Sequence, residues 1–84
     1  MSMSRELIGD FLLSPDWTDA EKWVIRWQAG VLGDFQQALA EAMGRADDGN
    51  LGKLATAFPV QADGFVAWNR GDLGQRLRKA GLEI

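Results

Sequence analysis

Apolar residues recur at helical spacing along most of the chain, and the strict alternation that a half-buried strand needs is nowhere sustained. Leu7, Ile8, Phe11 and Leu12 make one stripe between Arg5 and Leu13, and Ser14-Pro15 closes that helix. Either Ser14, with Pro15 in the first turn, or Thr18, with Glu21 three residues on as a capping box, starts the next one. Stepping about 100° per residue from there, Ala20, Val24, Trp27, Val31, Phe35, Ala38, Leu39, Ala42 and Ala46 fall in one broad sector. Gly30 and Gly33 lie within this run, each costing about 1 kcal/mol relative to alanine in a helix, yet the stripe keeps its phase across them. The spacing predicts one long helix from about Thr18 to Arg45, kinked near Gly30 to Gly33, with the glycines admitting a close backbone neighbour.

Beyond Ala46 the run Asp47-Asp48-Gly49-Asn50 breaks the pattern, and Leu51, Leu54, Ala55 and Phe58 resume it. Asp47 or Asp48 is the expected cap of this short helix, beginning near Asn50. Phe58 before proline favours extended backbone, and Pro59 suits the first turn of a helix with Val60, Gly64, Phe65, Ala67 and Trp68 on one face. The last element has Asp72 as N-cap with Gln75 completing a capping box, Leu73 and Leu77 as its buried pair, and Gly81 as its stop. Leu82 is expected to fold back on Leu77 in a Schellman motif. The expected fold class is all-α: a compact bundle of about five helices, the long one packed by shorter ones, in a single domain over 1–84.

Composition removes much of the chemical repertoire. The 84 residues contain neither cysteine nor histidine, so there is no thiolate nucleophile, no Cys-based zinc site and no imidazole base or ligand. A chain of this length removes about 60 to 65% of its unfolded surface on folding, so its stability should be modest. The net charge of −3 is unevenly spread: residues 1 to 50 carry nine acids and four bases, residues 51 to 84 three acids and five bases. The first residues lack a basic segment followed by a long apolar one, and no run approaches the roughly 18 apolar residues of a membrane span. A cytoplasmic protein without a membrane partner is expected.

The acidic motifs weigh towards structure. The segment from Asp47 lacks the alternating oxygen ligands and closing glutamate of a calcium loop, and its glycines with Lys53 do not have the spacing of a phosphate loop. Paired carboxylates are the acid-base mechanism this composition leaves open, but Asp16 with Asp19, and Asp34 with Glu41, read as solvated helix surface. Neither a catalytic site, a cofactor nor a metal site is expected, and the chain is read as not an enzyme.

Four tryptophans are many for so short a chain. Trp27 is assigned to the core, whereas Trp17 and Trp23 are candidates for a partner-facing surface. The acids Asp16, Asp19 and Glu21 adjoin them, and Arg70, Arg76 and Arg78 form a second charged group near Lys79. Together Asp16, Trp17, Asp19, Glu21, Trp23, Arg70, Arg76 and Arg78 make the candidate protein-binding set. Four cations without interleaved aromatics are a weak nucleic-acid footprint, so direct binding of nucleic acid by Arg70, Arg76, Arg78 and Lys79 is the alternative reading.

Residues 35 to 65 resemble a pattern found in small uncharacterised proteins of phages, prophages and integrative elements. Phe35, Ala38 and Leu39, then Ala46, Asp47, Asn50, Leu51 and Leu54, then Phe58-Pro59 carry the resemblance, over about a third of the chain. The resemblance implies a helical protein of mobile-element origin and supplies no catalytic residues. Small acidic helical proteins of such elements include anti-CRISPR proteins, which obstruct a CRISPR effector complex. It therefore implies a binding inhibitor of a host protein complex in the bacterial cytoplasm, with type I effectors favoured because their nucleic-acid channels are lined by Lys and Arg. An accessory or self-associating structural protein is the third reading.

Overall fold

The computed structural model describes residues 4–84, and within them every regular element is helical. Six helices follow in order: α1 Arg5–Leu13, α2 Asp19–Gln28, α3 Asp34–Arg45, α4 Asp48–Ala57, α5 Pro59–Asn69 and α6 Leu73–Lys79. The all-α class matches expectation, with one helix more. Among the described residues, no helix is long and apolar enough to cross a membrane.

The extra helix arises because the long helix expected over 18–45 is two. Gly30 adopts a left-handed φ of +73° and ends α2, and Gly33 is the N-cap of α3. An unbroken apolar phase does not require an unbroken helix, since two helices packed on a common neighbour each need an apolar face. The stripe is not wholly inside: Val31 is 57% and Phe35 63% exposed. Nor do these glycines receive a neighbouring backbone, for a Cβ at either would meet nothing within 4 Å.

The close approach lies at Gly64 instead. A Cβ there would stand 2.5 Å from the Ala20 carbonyl oxygen and 2.9 Å from Val24 Cγ2. Glycine thus lets α5 press against α2, and these two helices form the principal contact of the fold. α3, α4 and α6 also pack on α5, while α1 packs on α2. α5 is therefore the hub, burying Ala62, Gly64 and Phe65. Val60, predicted on its inner face, is 42% exposed.

Several local expectations are met. Thr18 caps α2, with a complete capping box, whereas the Ser14 hydroxyl accepts from the Asp16 N–H in the preceding turn. The Asp47 carboxylate accepts from the Asn50 N–H at 2.8 Å, and α4 starts at Asp48. Phe58 is both the C-cap of α4 and the N-cap of α5. At α6 the outcome divides. Asp72 occupies the N-cap position without a side-chain capping bond; its carboxylate instead accepts from Arg76 Nε at 3.1 Å. Leu73, Leu77 and Leu82 are buried as expected.

Candidate protein-binding surface

The eight residues expected to face a partner divide when placed on this scaffold. Trp23 leaves the set: it is 5% exposed, and its indole Nε1–H donates to Gln36 Oε1 at 2.8 Å. That bond joins α2 to α3 and satisfies the one polar group of a core side chain. Trp27, assigned to the core, is half-buried instead. It packs against Trp23 with ring centroids 5.7 Å apart, Phe65 at 5.9 Å and Trp68 at 6.4 Å. The aromatic stack thus begins in the core at Trp23 and reaches the rim at Trp27 and Trp68.

Glu21 and Arg76, 55 positions apart, meet in an ion pair of 2.8 Å. Glu21 also accepts the Thr18 N–H through its other oxygen at 2.8 Å, so one carboxylate caps α2 and tethers α6. Burial by itself raises the Glu21 pKa, but the Thr18 hydrogen bond and the Arg76 guanidinium outweigh it and hold this carboxyl below its ordinary value of 4.5. Arg76 is held more firmly protonated in turn, chiefly by Glu21.

The other two arginines are also engaged. Arg70 pairs with Asp48 at 2.9 Å, and Arg78 donates to the Ile84 carbonyl at 2.9 Å. Arg70, Arg76 and Arg78 therefore each have a partner of their own within the fold. Pairs as exposed as Arg70 with Asp48 contribute about 0 to 1 kcal/mol.

Asp16, Trp17 and Asp19 remain. Both aspartates are exposed and, among the described residues, neither forms an ion pair. Trp17 is half-buried and stacks on Phe11, centroids 5.6 Å apart and planes at 25°. This pair borders an open pocket of about 310 Å³, which Asp10, Ser14, Asp16 and Ala80 complete. An indole beside two carboxylates provides a π-face and negative charge for a cationic side chain. Asp10 was not foreseen, although it precedes Phe11 and the helix geometry places it at the rim.

Other surface features escaped the sequence reading. Leu13 is 86% exposed, and its position outside the α1 stripe was the available signal. Phe35 packs its ring on Phe58 at 5.8 Å, at the surface. A second pocket, a cleft of about 520 Å³, lies between α3 and α4 and is lined by Ala42, Arg45, Ala46, Asn50, Lys53 and Leu54. No group of three or more His, Cys, Asp or Glu placed to hold a metal occurs among the described residues. Comparison with family models, curated proteins and solved structures returned no match.

Proposed function

We propose that this chain works by binding another protein, and that its role is the occluding one implied by the resemblance of residues 35 to 65: obstruction of a host complex in the bacterial cytoplasm, of anti-CRISPR type, with type I effectors favoured. The observation that carries the binding reading is the Trp17 pocket, where an indole and the carboxylates of Asp10 and Asp16 stand together, neither carboxylate in an ion pair among the described residues. A Lys or Arg side chain of the partner enters there, its stem against Trp17 and its charge between the aspartates. Surfaces that hold nucleic acid offer such side chains in rows, and a body lodged on them denies the nucleic acid its phosphate contacts. The reading asks for no bond-making step.

The test uses purified type I effector complexes, their target DNA and the full chain. Binding to an effector with loss of its DNA binding is expected, and Trp17→Ala or Asp16→Lys should weaken it by about tenfold or more. The aromatic variant should lower affinity with little change in salt dependence, and the charge variant should reduce both. Direct binding of DNA or RNA by the chain alone, weakening steeply with salt and lost on reversing Arg76, Arg78 and Lys79, would overturn the proposal.

A further inference from the structure

The cleft between α3 and α4 has an apolar floor and a basic rim. Ala42, Ala46 and Leu54 make the floor, while Arg45 and Lys53 stand at the edge with Asn50. Neither cation forms an ion pair among the described residues. Ala42 lies in the last turn of α3 and Ala46 is its C-cap, and their small side chains leave a shallow trough beside α4. An occupant must therefore bring an apolar group for the floor and negative charge for the rim.

This chain itself carries such a surface. On α1, Glu6, Asp10 and Leu13 are spaced four and three residues apart and share one helix face. All three are exposed, Leu13 at 86%. The face lies away from the stripe centred on Phe11 that packs α1 into the fold. Its pattern of two acids and one aliphatic anchor complements the cleft in both charge and polarity.

We infer that α1 of one copy docks in the α3–α4 cleft of a second copy, with Leu13 on the alanine floor and Glu6 and Asp10 against Arg45 and Lys53. This is a helix-in-groove contact built from two different patches of the same chain. The contact shares Asp10 with the Trp17 pocket, but Leu13, Arg45 and Lys53 lie outside that pocket, so Leu13→Ser and Arg45→Glu with Lys53→Glu test it apart from the Trp17 reading.

Sedimentation equilibrium of the full chain over a concentration series tests it. Reversible self-association is expected, weakening as salt rises. Leu13→Ser should raise the dissociation constant about tenfold or more. The reversals Glu6→Lys with Asp10→Lys, and Arg45→Glu with Lys53→Glu, should each abolish association. An equimolar mixture of these two double variants should restore it, because every docking contact then regains opposite charges. All the altered side chains are exposed, and circular dichroism checks that each variant folds. Trp17→Ala should associate like the wild type. A wild type that stays monomeric at low salt overturns the inference, as does a mixture no more associated than its components. Preferential filling of the cleft by octanoate or by an acidic synthetic peptide, with no self-association, also overturns it.

Discussion

α2 and α6 end in the same backbone motif, reached from different sequence. At the end of α2, Gly30 has φ +73°; its N–H donates to the Trp27 carbonyl and the Val31 N–H to the Arg26 carbonyl, both at 3.0 Å. At the end of α6, Gly81 has φ +107°; its N–H donates to the Arg78 carbonyl and the Leu82 N–H to the Leu77 carbonyl, again at 3.0 Å. Both pairs are Schellman closures. The side chains differ. Leu82 and Leu77 are both buried, whereas Val31 is 57% exposed and its counterpart is Arg26. One end has an apolar anchor in the core, and the other is closed by backbone bonds and the conformational freedom of glycine.

The largest expected effect separates those contributions. Leu82→Ala should cost about 2 to 5 kcal/mol, because it empties a fully packed site, whereas Val31→Ala should fall within about 0.5 kcal/mol of the wild type. Urea unfolding of the two variants beside the wild type measures the difference directly. Similar losses at both positions would break the distinction.

Glycine substitutions then sharpen it. At Gly30 and Gly81 a Cβ has open space around it, so alanine incurs only backbone strain, about 1 to 2 kcal/mol, with the larger cost expected at Gly81, whose φ lies further outside the left-handed helical region. Gly64→Ala has the opposite cause: no φ strain, but a collision with the α2 backbone at Ala20. About 1 to 3 kcal/mol is expected there, as for other overpacked interiors. Substitution by D-alanine through chemical synthesis discriminates the causes. It should relieve the strain at Gly30 and Gly81, so a loss as large as that of L-alanine at either would refute the conformational account.

This contrast explains how much the sequence revealed. The end at Gly81 was legible because Leu77 and Leu82 announce their contact as apolar residues flanking glycine. The end at Gly30 was not, since its closure involves Arg26 and an exposed valine while the apolar phase runs on into α3. Asp47 and Thr18 with Glu21 were legible for a related reason, as capping acts within a few residues. Long-range pairing was hidden: nothing local marks Glu21 for Arg76, Trp23 for Gln36, or Gly64 for the Ala20 carbonyl. Of the candidate surface, Asp16 and Asp19 form no ion pair among the described residues and Trp17 borders an open pocket. Trp23, by contrast, is buried against Gln36, and Glu21, Arg70, Arg76 and Arg78 have partners within the fold.

α2 and α6 differ at their starts too, and there the expected effect is smallest. α2 has its full capping box, and Glu21 extends it to Arg76; α6 has no side-chain cap, because Asp72 serves the same arginine. The folded-state pKa of Glu21 lies below its ordinary value of 4.5, so on acidification the unfolded chain takes up this proton first. The stability contributed by Glu21 is therefore full above about pH 4.5 and is lost as pH falls through the lower folded value. Arg76→Ala should cost about 0.5 to 1 kcal/mol at neutral pH and reduce the acid-induced loss, leaving the part due to the Thr18 N–H. Glu21→Gln should remove the Glu21 contribution altogether. Because other carboxylates titrate in the same range, the informative measurement is the difference in unfolding free energy between wild type and each variant from about pH 6 to pH 3. A constant Arg76→Ala difference across that range would mean that the tether between α2 and α6 is not electrostatic.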